Sequence, residues 1–152
     1  MEIERNSHHA YRIMYHFVWI PKYRHKVFEE PYRNSLKEII IKAAYDYDME
    51  VEEIEIPGDH VHMLIKAEPA MSPAEIMKVV KSISAREFFK RYPEIQEKYF
   101  WGGKLWTGSY FVETVGNKNE EEVRKYVQNQ LKKIDKAEEK VRQLKIFCGN
   151  VV

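Results

Sequence analysis

The hydrophobic pattern changes its period along the chain, and the order of these changes constrains the fold more than any other feature. Apolar and polar residues alternate over residues 10–20, as in a strand, whereas residues 31–48 carry apolar side chains at helical spacing. The two-residue period returns over residues 49–56 and 60–65, and the Pro-Gly-Asp sequence between them is typical of a tight turn. The first half of the chain therefore predicts a strand, a helix and a hairpin of two strands.

The second half predicts a further helix and a further strand. The helix over residues 72–92 begins with a Ser-Pro-x-Glu sequence, in which Ser72 is the expected N-cap. A less regular aromatic segment at residues 93–103 precedes the strand predicted over residues 105–115. The order strand, helix, strand, strand, helix, strand is that of the ferredoxin-like, split βαβ sandwich. We therefore predict an α+β fold with a four-stranded antiparallel sheet and two helices on one face, its last strand forming an edge where a second copy could pair.

The length of 152 residues suits a single domain over residues 1–152. Within it we expect a loose polar leader at residues 1–9 and an appended C-terminal helical region at residues 119–147, preceded by a flexible joint at Gly116. The single cysteine, Cys148, excludes an intramolecular disulfide and a cysteine zinc cluster. Because the sequence has no signal-like N-terminus and no apolar run of membrane-spanning length, we expect a cytoplasmic protein with no membrane partner.

The formal net charge is only +1, so any basic surface for nucleic acid has to be local. Basic side chains could hold phosphates while a neighbouring aromatic ring stacks on a base. Two segments offer such side chains: Lys22, Tyr23, Arg24 and Lys26 after the first strand, and Lys78, Lys81 and Arg86 on the second helix. An ordinary solvated surface explains either set as simply, and both interpretations stay open.

His60 and His62 flank Val61 at the start of the strand predicted over residues 60–65. Side chains alternate along a strand, so both imidazoles point to one face and lie about 6–7 Å apart, close enough to share a metal ion. Two ordinary histidines on a half-buried strand fit the same pattern. His16 lies on a mixed face of the first strand, where a core or surface histidine is the simpler interpretation and a contact to nucleic acid or to a metal ligand is the alternative.

Tyr126 and Gln130 lie four residues apart on the final predicted helix, together at one edge of its apolar stripe. Two imidazoles alone hold a hard cation weakly, and the Gln130 side chain could supply a further ligand. A phenol is a weak nucleophile at neutral pH, but Tyr126 could attack a phosphate whose charge a metal neutralises. A rim position on an amphipathic helix is the simpler interpretation of an isolated Tyr-x-x-x-Gln.

Several segments, taken in order, resemble the small single-tyrosine transposases of bacterial and archaeal insertion sequences. These enzymes are members of the histidine–hydrophobe–histidine (HUH) endonuclease superfamily. The matching segments are FVWIPKYR at residues 17–24, GDHVHML at residues 58–64, KLW and SYF within residues 104–111, and YVQNQ at residues 126–130. The resemblance extends over most of the chain, from about residue 10 to about residue 135.

The resemblance implies that His60 and His62 coordinate a divalent ion, Mg²⁺ or Mn²⁺, and that Gln130 completes the ligand set. It implies that Tyr126 attacks the scissile phosphate of single-stranded DNA, forming a 5′-phosphotyrosine and a free 3′-hydroxyl. It further implies recognition of subterminal DNA hairpins at the ends of the mobile element. A homodimer is also implied, in which the tyrosine helix of one subunit completes the metal site of the other.

The expected function is that of a transposase that cleaves and rejoins single-stranded DNA at insertion-sequence ends. Two alternatives remain on the residues alone. One is a non-catalytic ferredoxin-like module that binds RNA or DNA by stacking bases on its aromatic sheet face. The other is a metal-dependent phosphoesterase that uses His60 and His62 without a covalent intermediate.

Overall fold

The computed structural model describes residues 3–5, 10–22, 29–58 and 60–115, together with the single positions Lys125, Asn129, Lys132 and Lys136. The chain divides into two compact units, Met1–Gly116 and Asn117–Val152. In the second unit the four described positions are helical and exposed. Their spacing of four, three and four residues places them on one face of a helix, as expected for the polar face of the helical region predicted at residues 119–147.

The first unit contains all the described strands. The strands are Glu4–Arg5 (β1), Ala10–Tyr11 (β2), Met14–Trp19 (β3), Glu50–Glu55 (β4), Val61–Lys66 (β5) and Phe111–Thr114 (β6), and the helices are Tyr32–Asp46 (α1), Pro73–Arg91 (α2) and Pro93–Tyr99 (α3). Four strands form one antiparallel sheet in the order β4-β5-β3-β6. This order confirms the predicted ferredoxin-like fold, and it places β5 in the centre and β6 at an edge of the described sheet.

The hydrophobic core lies between one face of this sheet and the helices α1 and α2. Phe17, Met63 and Ile65 of the central strands pack there against Leu36 of α1 and Val80 of α2. Because successive side chains of a strand point to opposite faces, the residues between these core positions, among them His16 and His62, belong to the face turned away from the helices. The fold thus separates an apolar helix-covered face from a face that carries histidines.

The start of α2 follows the prediction closely. Ser72 is the N-cap, and its Oγ accepts a hydrogen bond from the Glu75 N–H at 3.1 Å. Pro73 occupies the first helical position. An N–H at this position would have no acceptor within the helix, so its absence in proline removes no hydrogen bond. None of the described helices is long and apolar enough to cross a bilayer.

Three predictions about local structure are wrong in part. Within the leader predicted to be loose, β1 pairs with β2, so residues 10–11 belong to a separate small hairpin and not to the main sheet. Pro93–Tyr99 form a helix where an irregular segment was expected, since a proline is readily accommodated at a helix start. The strand predicted over residues 105–115 shortens to β6 and an isolated bridge between Trp106 and Pro21.

Candidate functional site

The histidine pair lies at the start of the central strand β5, directly after the turn from β4. Gly58 in that turn has a φ of 80°, in the left-handed region that glycine favours, and the chain reverses there. His60 precedes the strand and is 3% exposed, and His62 within it is 4% exposed. His62 pairs with Val18 of β3 on one side and with Glu55 of β4 on the other. The backbone that carries His62 is therefore held between two neighbouring strands.

His16 of β3 lies beside His62 on the same face of the sheet. Its ring centroid is 6.4 Å from that of His62, and the two rings meet edge to face at 82°. His16 Nδ1 lies 3.0 Å from Oε1 of Glu113, the residue of β6 directly opposite in the register. A carboxylate oxygen accepts hydrogen bonds, so His16 Nδ1 donates and carries the proton. Glu113 thus fixes the His16 ring, and His16 in turn packs against His62.

Glu113 has no sequence signal of its own, and His16 was most simply predicted to be a core or surface histidine. The structure buries His16 completely, as a core histidine, and also places its ring beside that of His62, a predicted metal ligand. The signal that points to both residues is the pairing register of β3 and β6, which sets His16 opposite Glu113. That register depends on which strands become neighbours, and the alternation of apolar residues does not specify it.

The environment lowers the pKa of both His62 and His16. Burial, followed by the positive charges that His16, His60 and Lys37 can carry, lowers the pKa of His62 to about 4. Burial also lowers the pKa of His16, although its hydrogen bond to Glu113 acts in the opposite direction. At neutral pH both rings are therefore uncharged, the form in which an imidazole can donate a lone pair to a metal.

The residues of this face fit part of a metal centre. His62 Nδ1 is buried and has no hydrogen-bond partner within the described residues. Buried polar atoms are rarely left unpaired, and a neutral ring nitrogen without a partner is suited to bind a cation. In the described ranges no group of three His, Cys, Asp or Glu side chains converges as a metal site would require. His62 could therefore supply one ligand of a metal site, and such a site would need further ligands besides it.

The structure describes only some of the remaining predicted site residues. Tyr126, Gln130, Tyr23, Arg24 and Lys26 lie outside the described residues. Lys22 is exposed at the end of the segment that follows β3, and its N–H donates to the Leu105 carbonyl at 2.7 Å.

The three basic residues predicted on α2 do not act as one group. Lys78 and Lys81 line the same groove beside α2. Arg86 instead lines a separate cavity near α1 and lies 3.4 Å from Glu87. Lys81 also has a structural role, because its Nζ donates to the carbonyls of Thr107 and Ser109 at 2.9 and 2.8 Å.

The family model and the sequence relatives that match this chain are all described as transposases. A sequence model of the family described as "Transposase IS200 like" matches residues 9–130. The chain is 35% identical over 130 residues to the ISDra2 transposase TnpA of Deinococcus radiodurans, covering 86% of this chain and 92% of that protein. It is 30% identical over 125 residues to the transposase for insertion sequence element IS200 of Salmonella typhimurium, covering 82% and 81% of the two chains.

Solved structures agree with the sequence relatives. A crystal structure from Deinococcus radiodurans R1, described as a transposase, matches with a TM-score of 0.68 at 32% identity and covers 84% of this chain and 97% of that one. A REP-associated tyrosine transposase bound to a REP hairpin shares the fold, with a TM-score of 0.52 at 14% identity over 82% of this chain and 67% of that one. With its fold and these relatives, the chain belongs to the IS200-like transposase family.

Proposed function

We propose that this transposase cleaves and rejoins single-stranded DNA through Tyr126, at a divalent metal held by His60, His62 and Gln130. The observation that carries the proposal is the state of His62, whose Nδ1 is buried and without a hydrogen-bond partner among the described residues. Its low pKa keeps the ring neutral at the pH of a cell. A buried ring nitrogen with no partner among the described residues is costly unless a ligand or a group beyond those residues binds it.

Each residue has a distinct role in the proposed reaction. Mg²⁺ or Mn²⁺, when bound, would withdraw charge from the scissile phosphate and stabilise the leaving oxygen. The Tyr126 oxygen attacks phosphorus and loses its proton, a tyrosine–phosphorus bond forms, and the bond to the 3′-oxygen breaks. The 3′-oxygen takes up a proton and leaves as a hydroxyl. Attack of another 3′-hydroxyl on the phosphotyrosine reverses these steps, so strands are rejoined without ATP.

His16 and Glu113 are positioning residues in this scheme. The hydrogen bond between them holds the His16 ring, which packs edge-on against His62. His62 consequently has little freedom to rotate away from a ligand. Metal ligands in proteins are commonly oriented by residues outside the ligand set, so loss of the His16 contact should weaken metal binding.

The proposed partners are the hairpin ends of a mobile element and a second copy of the chain. A REP-associated tyrosine transposase of the same fold binds a REP hairpin, which supports a DNA hairpin as the substrate. The edge strand β6 has an unpaired side in the described sheet, as a strand that joins two subunits needs. We propose that residues 1–152 work as one domain whose helical region at 119–147 delivers Tyr126 to the metal site of the partner subunit.

Covalent capture tests the central step. Labelled single strands from the regions that flank the coding sequence are incubated with the chain and Mg²⁺, and adducts that survive denaturation are separated by electrophoresis. Tyr126→Phe should abolish the adduct, whereas Tyr45→Phe should not, because Tyr45 is a 78% exposed residue of α1. Cleavage that persists in Tyr126→Phe would indicate a phosphoesterase, and binding without cleavage by the unaltered chain would indicate a binding module.

Mixed dimers test whether the site forms between subunits. A Tyr126→Phe chain and a His62→Ala chain are each expected to be inactive alone. Mixing them should restore part of the adduct, because one active site in the heterodimer then receives an intact tyrosine and an intact histidine pair. Heterodimers that remain inactive would assign both parts of the site to the same chain.

A further inference from the structure

A groove of about 450 Å³ lies between α2 and residues 103–110. Met77, Leu105 and Trp106 contribute apolar surface to it, and Lys78 and Lys104 are exposed lysines of its lining. None of its described lining residues is acidic. This volume lies within the range of about 300–1,000 Å³ that is typical of small-ligand sites. The lining therefore suits a ligand that combines a flat apolar part with negative charge.

The walls of the groove are held in place by specific contacts. Lys81 on α2 donates to the carbonyls of Thr107 and Ser109, which ties the 103–110 segment to the helix. Trp106 Nε1 donates to the Oγ of Ser84, a buried residue of α2, at 2.9 Å, and this hydrogen bond fixes the indole against the helix. Because these contacts join the two walls of the groove to each other, a ligand need not order them when it binds.

Tyr110 gives the groove an accessible aromatic surface. Tyr110 is 36% exposed, and the Lys81 Nζ lies 5.4 Å from the centroid of its ring. A lysine at this distance from a tyrosine ring is in the range of a cation–π contact, which holds the ring in position. A nucleobase could therefore stack on Tyr110 with little loss of side-chain freedom.

The groove adjoins the histidine face through two consecutive residues. Tyr110 lines the groove and packs on Phe17 of the core face, with ring centroids 6.0 Å apart. Phe111 contacts the His16 ring, with centroids 5.9 Å apart. Successive side chains at the start of the edge strand β6 thus reach the groove and the histidine face. A single strand that passes this end of β6 meets both.

We propose that this groove binds one unpaired base of the single-stranded DNA substrate, stacked on Tyr110, while Lys78 and Lys104 hold the adjacent phosphates. The inference deepens the proposed function and rests on it for the choice of DNA. It places a base-binding subsite next to the cleavage centre, on the opposite face of the same sheet edge. An acidic protein segment could use the same lysines, but its carboxylates would gain nothing from the partly exposed ring of Tyr110.

The test compares two strands that carry the same phosphates. One is a labelled single strand from the flanking regions that contains no inverted repeat and so forms no hairpin, and the other is its abasic counterpart, which lacks the bases. Binding of each to the full chain is measured by fluorescence anisotropy with EDTA present, so that no cleavage occurs. The unaltered chain should bind the base-containing strand at least about fivefold more tightly, since stacking one base on an aromatic ring contributes this much or more.

Two substitutions fill the groove without removing a core contact. Ala74→Trp and Ser82→Trp alter exposed groove-lining positions of α2. Each should reduce the preference for the base-containing strand to less than about twofold and leave binding of the abasic strand unchanged. Ala10→Trp is the control, because Ala10 is exposed on β2, away from the groove. Circular dichroism checks that every variant is folded.

Two matched lysine substitutions distinguish contacts to the phosphates from contact to the base. Lys78→Ala should weaken binding of both strands to a similar extent, whereas Lys90→Ala, at an exposed position of the same helix outside the groove, should change neither. Equal binding of both strands by the unaltered chain, or a preference that survives both tryptophan substitutions, would overturn the inference. The Tyr126 adduct assay is independent of these results: an adduct without a base preference refutes only the subsite, and a base preference without an adduct refutes only the cleavage step.

Discussion

Loss of the Glu113 carboxylate should destabilise the fold through the histidine that it holds. The perturbation is a double-mutant cycle made of Glu113→Ala, His16→Ala and the double variant. The cycle isolates the energy of the contact between the two side chains, because effects of each substitution on other neighbours cancel. A substantial coupling energy would establish that this hydrogen bond actively holds His16 in place.

The expected coupling energy follows from the burial of the His16 and Glu113 side chains. The His16 side chain is 0% exposed and the Glu113 side chain 21% exposed, and the two atoms lie 3.0 Å apart. A hydrogen bond to a charged group contributes about 1.5–3 kcal/mol, and the partial exposure of the carboxylate lowers the expected coupling to about 1–2 kcal/mol. Glu113→Gln retains an acceptor for the His16 N–H and should therefore lose less stability than Glu113→Ala.

The assay is urea unfolding near neutral pH, followed by circular dichroism, for all members of the cycle. A matched control is the cycle of Lys42 and Asp46, whose atoms are 2.8 Å apart but whose side chains are 76% and 49% exposed. Water screens this pair, so the control cycle should show a much smaller coupling than the buried pair. If the Glu113–His16 coupling is as small as that of the control, burial does not give this hydrogen bond its strength and its positioning role is refuted.

Three further outcomes are expected. In the chain without metal, the free energy of unfolding should fall by about 2 kcal/mol as the pH is lowered from about 6.5 to 4, a figure that allows for partial solvent screening. The reason is that the folded-state pKa of His62 lies below the unfolded value, so protons bind the unfolded chain first. In urea titrations at several pH values, His62→Phe should lose this part of the pH dependence. Lys81→Met should cost about 2 kcal/mol through two lost hydrogen bonds to carbonyls, against no change for Lys90→Met on the same helix, as measured by thermal unfolding. Ser72→Ala should cost about 1 kcal/mol by removing the N-cap of α2, and Ser72→Asp should restore it in the same measurement.

Local signals account for the parts of the fold that the sequence predicts well. Ser72 and Pro73 specify the start of α2 through groups that lie within one turn of each other, so no distant contact is needed to predict it. The alternation of apolar and polar residues along β3 and β5 likewise predicts which side chains face the core, because it too is a local pattern. The residues at 10–11 also alternate, yet they pair with β1, because alternation does not choose a strand's neighbour.

By itself, the sequence determined the order of the four strands of the main sheet and of α1 and α2, and membership in a transposase family, since these depend on residue type and on spacing along the chain. Only the tertiary structure decided that His16 lies beside His62 and is paired with Glu113, 97 residues away in sequence, across two strands. It likewise decided that Lys81 fastens residues 107–109 and that Tyr110 opens onto a groove. The physical reason is that strand register and helix docking bring together groups whose sequence separation has no periodic signal.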